Sequence, residues 1–125
     1  MIHGIGTDIV RIDRLRGALE RHGERFAARI LTGSERDGFA ASRDQARFLA
    51  KRFAAKEAFG KALGTGVAVP ATLHAVRVGH DELGKPVYEF DDALSAYMDE
   101  RGLSAHLSLS DEIDYVVAFA LIEKI

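Results

Sequence analysis

The chain has no cysteine and no tryptophan, and only two of its 125 residues are proline. Without cysteine there is no disulfide, no thiolate metal site and no cysteine nucleophile, and nothing points to an oxidising compartment. The missing tryptophan, with aromatics at 8%, leaves little of the stacking platform that single-stranded nucleic acid requires. Long hydrophobic runs are also lacking: the longest apolar stretch, Val116–Ile122, is far too short to cross a bilayer as a helix. The opening MIHGIGTDIV does not read as a basic leader followed by an apolar segment. No GxSxG elbow, HExxH motif or paired-histidine zinc spacing occurs, which removes the commonest hydrolase and zinc-enzyme signatures. The expectation is one soluble cytoplasmic domain over residues 1–125, partnered by neither membrane nor nucleic acid.

What is present is ordinary for a folded domain, with 47% hydrophobic and 29% charged residues. The net charge of −2 hides an asymmetry. Residues 1–63 hold 13 Lys/Arg against 8 Asp/Glu, while residues 64–125 hold 4 against 11. A basic first half suits an acidic protein partner or a phosphate-rich ligand, although uneven helix surfaces give the same imbalance.

Residues 2–10 read as a strand rich in Ile and Val, followed by a helix from about Arg11 to His22 with Ile12, Leu15 and Leu19 on one face. Gly23 interrupts or ends it, and Thr32 or Ser34 can cap a short helix carrying Glu35 and Asp37. A long helix is expected from about Arg43 to Leu63, free of proline and rich in helix formers, with Gly64 and Gly66 ending it. Leu73–Val78 and Val87–Phe90 read as strands around the DELGKP turn, and Asp91 or Asp92 can cap a helix running to Arg101. Ala105–Leu109 and Tyr115–Ile122 alternate as a closing hairpin. This order predicts an α+β fold, with a small antiparallel sheet against a long central helix and shorter helices.

Three groups of residues invite chemistry. On the first strand Gly4, Gly6 and Asp8 share a face, and an acid there is costly to bury without a cation or several donors, unless it simply caps the next helix. On the long helix Lys56, Glu57 and Lys61 precede Gly64-Thr65-Gly66, whose N–H groups can approach phosphate, although a plain helix stop explains the glycines better. Glu57 and Lys61 are also spaced as an ordinary surface pair, contributing about 0.2–0.5 kcal/mol. Asp8 with Glu57 would supply two hard oxygen ligands for Mg²⁺ on a pyrophosphate-containing substrate. Finally, Arg14, Arg21, Arg25 and Arg29 form an arginine-rich stretch for which nucleic acid is one candidate partner, although Phe26 stands alone among them and an acidic protein helix would fit as well. His106, Ser108 and Ser110 alternate onto one strand face without an accompanying nucleophile motif.

Taken together, GIGTDIV, RFAARIL followed by Thr32 and Ser34-Glu35, RFAAKEAFGKALGTG, Gly84-Lys85-Pro86 and HLSLS resemble the holo-acyl-carrier-protein synthases, the small phosphopantetheinyl transferases, over nearly the whole chain. The resemblance implies transfer of 4'-phosphopantetheine from coenzyme A to a serine of apo acyl carrier protein, releasing adenosine 3',5'-bisphosphate, in fatty-acid (lipid) biosynthesis. It implies Mg²⁺ held by Asp8 and Glu57, catalysis by Glu57 and Lys61, and coenzyme A contacts through Lys56, Lys61, Gly64, Thr65, Gly66, Lys85, Pro86 and His106. Arg14, Arg21, Arg25 and Arg29 would dock the carrier protein, and the assembly would be a homotrimer. One departure stands out: many members carry a second histidine where this chain has Asp111. The competing readings are a Mg²⁺-dependent pyrophosphate or nucleotide hydrolase using the same acids, and a non-enzymatic arginine-rich adaptor.

Overall fold

The computed structural model describes residues Met1–Ile125. Strand β1 (Ile2–Arg11) leads into helices α1 (Ile12–His22), α2 (Glu24–Ile30), α3 (Glu35–Ala41) and α4 (Gln45–Leu63). Strands β2 (Val76–His80) and β3 (Pro86–Phe90), helix α5 (Asp92–Glu100), and strands β4 (Leu103–Asp111) and β5 (Tyr115–Lys124) follow. The expected α+β class holds. The strands form two antiparallel sheets, however: a three-stranded β1-β5-β4 sheet and a separate β2-β3 ribbon.

Local signals account for most boundaries. Asp44 caps α4 by accepting from the Arg47 N–H at 3.1 Å, and Asp91 caps α5 by accepting from the Leu94 N–H at 2.9 Å. Gly23, at φ 61°, ends α1 through its N–H on the Leu19 carbonyl, while its own carbonyl accepts from Phe26 to start α2. Of the two sequence readings of Gly23, an interruption or an end, the structure takes the interruption, with α2 following directly. The expected strand over Leu73–Val78 begins later, at Val76. Thr72 holds a turn by accepting the Ala75 N–H on both its hydroxyl and its carbonyl.

Helix α4 is the centre of the molecule, and its alanines explain how. Ala50, Ala54, Ala55 and Ala58 are fully buried, so strands and helices approach its backbone from several sides. On one side Phe59 meets Tyr88 and Phe90 of the ribbon, each with ring centroids 5.1 Å away. The Tyr88 hydroxyl donates to the Ala55 carbonyl at 2.6 Å, and burial pushes that phenol up. On another side lies β1. A Cβ at Gly4 would overlap the Ala62 carbonyl, and one at Gly6 would sit 2.7 Å from the Ala62 nitrogen and 2.8 Å from Lys61 Cβ. These two glycines let the strand lie directly on the helix.

The opposite face of the β1-β5-β4 sheet is open. Ile5 and Ile9 of β1 are 58% and 62% exposed, and Val117 and Phe119 stand beside them in register on β5. No helix is long and apolar enough to cross a membrane.

Because the strand–helix approach leaves no room for a methyl group, Gly6→Ala should destabilise the fold by about 1–3 kcal/mol. A thermal melt should show the loss, and an unchanged midpoint would contradict this account of the contact.

Candidate active site

The glycine contact fixes where Asp8 goes. Gly4 abuts Ala62 and Gly6 abuts Ala58, so advancing along β1 means stepping back along α4. Two more residues of strand, about 6.7 Å, match a little over one helical turn of about 5.4 Å. That step carries Asp8 alongside the turn of α4 from Ala54 to Ala58, the turn that carries Glu57. Both carboxylates line one cleft of about 600 Å³. Lys61, one turn beyond Glu57, donates to the Thr7 carbonyl at 2.8 Å and to Asp8 Oδ1 at 3.3 Å.

The electrostatics of the pair follow from this placement. Burial pushes the Glu57 carboxyl up, the neighbouring Asp8 charge pushes it further the same way, and Lys61 opposes both. One ammonium therefore serves two carboxylates. The rest of the cleft is of two kinds. Leu15, Ala18, Phe26, Ile30, Phe53 and Leu73 give it apolar walls, and Arg14, Arg21 and Arg29 give it positive charge. Arg21, Phe26 and Arg29 also border an adjoining recess that includes Arg25. Two acids beside a lysine, in a cleft rimmed by arginines and floored by apolar side chains, suit a polyphosphate meeting an acidic partner.

Comparison with known proteins identifies the family. Residues 4–120 match the 4'-phosphopantetheinyl transferase superfamily. The chain belongs to that family. Among its relatives is a holo-acyl-carrier-protein synthase of Aromatoleum aromaticum, 78% identical over 124 residues that make up 99% of each chain. The crystal structure of the Neisseria meningitidis holo-acyl-carrier-protein synthase superposes with a TM-score of 0.95 at 47% identity, covering 99% of this chain and 100% of that one. A Bacillus anthracis synthase solved in complex with coenzyme A (3',5'-ADP) superposes at 0.85 with 33% identity, covering 100% of this chain and 99% of that one. The protein is thus an enzyme of the phosphopantetheinyl transferase class, within the holo-acyl-carrier-protein synthase group.

Several residues expected at a transferase site lie elsewhere in this chain. Lys56, one position before Glu57, is only 1% exposed and lines no part of the cleft. Its ammonium donates to the Ile30 carbonyl at 2.6 Å, Glu35 Oε1 at 2.6 Å and the Leu73 carbonyl at 2.9 Å. With all three protons committed, Lys56 has none for coenzyme A, and its expected contact is corrected to an internal role. The backbone of Gly64-Thr65-Gly66 is largely committed too. The Gly64 and Gly66 N–H groups both bond the Gly60 carbonyl, so the helix-stop reading describes them better than a phosphate cradle. Thr65 Oγ1 donates to the Gly66 carbonyl at 2.8 Å.

Lys85 and Pro86 sit at the β2–β3 turn, where the Lys85 N–H donates to Asp81 Oδ1 at 2.9 Å, and neither lines the cleft. His106 projects from the face of the sheet that carries Phe119, whereas Asp8 lies on the face covered by α4. Its Nε2 lies 2.9 Å from Glu123 Oε1. Within one subunit, then, His106 does not join the acids. Asp111 receives Lys51 at 3.0 Å and Arg47 at 3.6 Å, pinning the end of β4 to α4.

One site neighbour escaped sequence reasoning. Glu35 reads as a capping residue, and it does accept the Thr32 N–H at 2.9 Å. It is also 5% exposed and holds Lys56, a burial that no local pattern announces.

The donor set suits a hard divalent cation. Asp8 and Glu57 are carboxylates whose mutual repulsion a metal would relieve, and no cluster of three or more His, Cys, Asp or Glu side chains is grouped to enclose one. Such an incomplete oxygen set matches Mg²⁺, which keeps waters and substrate phosphates in its remaining positions. Without metal, Glu57 holds its proton to higher pH than an ordinary carboxyl, so its contribution to folding is present at low pH and lost as pH rises through its raised pKa. Mg²⁺ should therefore raise the melting temperature more at neutral pH than at about pH 4–5, where carboxylates protonate. In Asp8→Asn that metal response should disappear; an equal shift at both pH values would remove the acids as ligands.

Proposed function

We propose that the chain transfers 4'-phosphopantetheine from coenzyme A to a serine of apo acyl carrier protein, with adenosine 3',5'-bisphosphate as the other product, in fatty-acid biosynthesis in the cytoplasm. The observation that carries this reading is the convergence of Asp8 and Glu57 in a cleft whose remaining wall is arginine-rich and apolar, with Lys61 bonded to Asp8 beside it. The Helicobacter pylori synthase solved with coenzyme A, 26% identical with a TM-score of 0.82 over 95% of this chain, adds support for that co-substrate.

Asp8 and Glu57 would hold Mg²⁺, which when bound neutralises pyrophosphate charge and steadies the departing phosphate. Lys61 is half-exposed at its tip and lies beside Asp8, within reach of a phosphate entering the cleft. Its fixed charge would stabilise negative charge gathering on the leaving group. Glu57, with its elevated proton affinity, is available to accept the serine hydroxyl proton. The apolar walls and the arginines from α1 and α2 would seat the carrier, whose acidic surface makes the encounter salt-sensitive. Gly64–Gly66 and the Lys85-Pro86 turn stay proposed coenzyme A contacts, made at the edges of the site.

The open sheet face supports a homotrimer, in which Ile5, Ile9, Val117 and Phe119 would be covered by neighbouring copies. His106 shares that face, so any contact with coenzyme A would be made across a subunit boundary. Light scattering should give about three times 13.7 kDa for the native chain and a monomer mass for Phe119→Glu. A native monomer would refute the assembly.

Intact mass spectrometry of apo carrier protein incubated with the chain, coenzyme A and Mg²⁺ should show a phosphopantetheine adduct that EDTA abolishes. Glu57→Gln should lower kcat/KM by about 100-fold or more while leaving the melting temperature close to native. Phosphate release without an adduct would instead support a hydrolase.

A further inference from the structure

Lys56 and Glu35 form the one fully buried ion pair of the fold, with side chains 1% and 2% exposed. Neither can touch a substrate, yet their bonds end on the cleft. The two main-chain carbonyls bound by Lys56 belong to Ile30, at the end of α2, and Leu73, in the loop after α4. Both residues line the cleft beside Phe26 and Phe53. Glu35 braces the same wall from behind, accepting the Thr32 N–H with Oε1 and the Val78 N–H with Oε2 at 3.0 Å. Thr32 lies two residues after Ile30, and Val78 stands in the strand that follows Leu73. The pair thus clamps two separate segments to α4 at the position next to Glu57.

We propose that Glu35 is a positioning residue for the acceptor: through Lys56 it fixes the Ile30–Leu73 wall of the cleft and so sets where the carrier protein sits relative to Asp8 and Glu57. The inference rests on the transferase reading given above and deepens it. It divides the site in two, since Asp8 and Lys61 are held by β1 and α4 without help from this clamp. Disturbing the clamp should therefore penalise acceptor recognition and spare the coenzyme A half of the reaction.

The test uses two variants, because Glu35→Gln alone strands a buried ammonium and can fail to fold. The double variant Glu35→Gln/Lys56→Met removes both charges with little change in volume. It should remain folded, raise KM for apo carrier protein about tenfold, and leave kcat and KM for coenzyme A within about twofold. Hydrogen exchange, which needs no activity, should quicken at residues 30–32 and 73–75 and stay slow through α4. Restoring Glu35 alone, in Lys56→Met, should not recover carrier KM. An unchanged carrier KM in the double variant overturns the proposal, as does an equal rise in KM for coenzyme A. Unchanged exchange at both segments overturns the clamp itself. Absence of transfer by the native chain overturns the functional reading and the acceptor role with it, while localised exchange would still uphold the Lys56 link.

Discussion

The contact on which the site depends is backbone against backbone, where β1 lies on α4 at Gly4 and Gly6. Ordinary side chains would hold a strand and helix about 10 Å apart, as between packed layers. Here the missing Cβ atoms and the small Ala58 and Ala62 let the two elements close until carbonyls and Cα atoms meet. An aspartate from a strand and a glutamate from a helix then share one small volume. Helix α4 makes a matching approach at its far end, where a Cβ on Gly60 would come within 2.6 Å of the Gly66 backbone. The loop after α4 folds back over its last turn as a result, while the Gly6 contact itself sets Lys61 beside β1 with its charge near Asp8.

Charge is arranged around this contact with economy. Burial most penalises the ionised form of Glu57, and two acids facing a single lysine at the site add to that penalty. Farther along the cleft the sign reverses, with Arg14, Arg21 and Arg29 among apolar neighbours. The composition already separates these tendencies, with the basic surplus confined to residues 1–63. Folding then concentrates part of that surplus on α1 and α2, along one side of the opening.

Much of this was legible in the residue pattern because it rests on local rules. The alternation of Gly4, Gly6 and Asp8, the helix formers of α4 and the cap at Asp91 are short-range statements, and each places an element. The class of enzyme was legible because motifs spread along the chain agree with one family. The departures have a common origin in long-range partners. Nothing near Lys56 says that its ammonium will be met by Ile30, Glu35 and Leu73, so it reads as a surface lysine next to a catalytic acid. The Leu73–Ala75 segment looks like strand by composition, yet Thr72 turns it and Lys56 holds its carbonyl. His106 alternates correctly on β4, but which face meets α4 depends on the order β1-β5-β4, a property of topology rather than spacing.

The buried Lys56–Glu35 pair also shapes which sequences can be reached from this one. Losing either partner alone leaves a desolvated charge, a cost of about 3–5 kcal/mol that a domain of this size can scarcely absorb. Losing both together is milder, since neither charge of the pair is left without the other, although the Ile30 and Leu73 carbonyls lose their donor. A random walk through single substitutions therefore meets a barrier at each of the two codons, with passable ground only on the diagonal between them. The two positions are locked as a unit, and drift elsewhere in the chain proceeds around them.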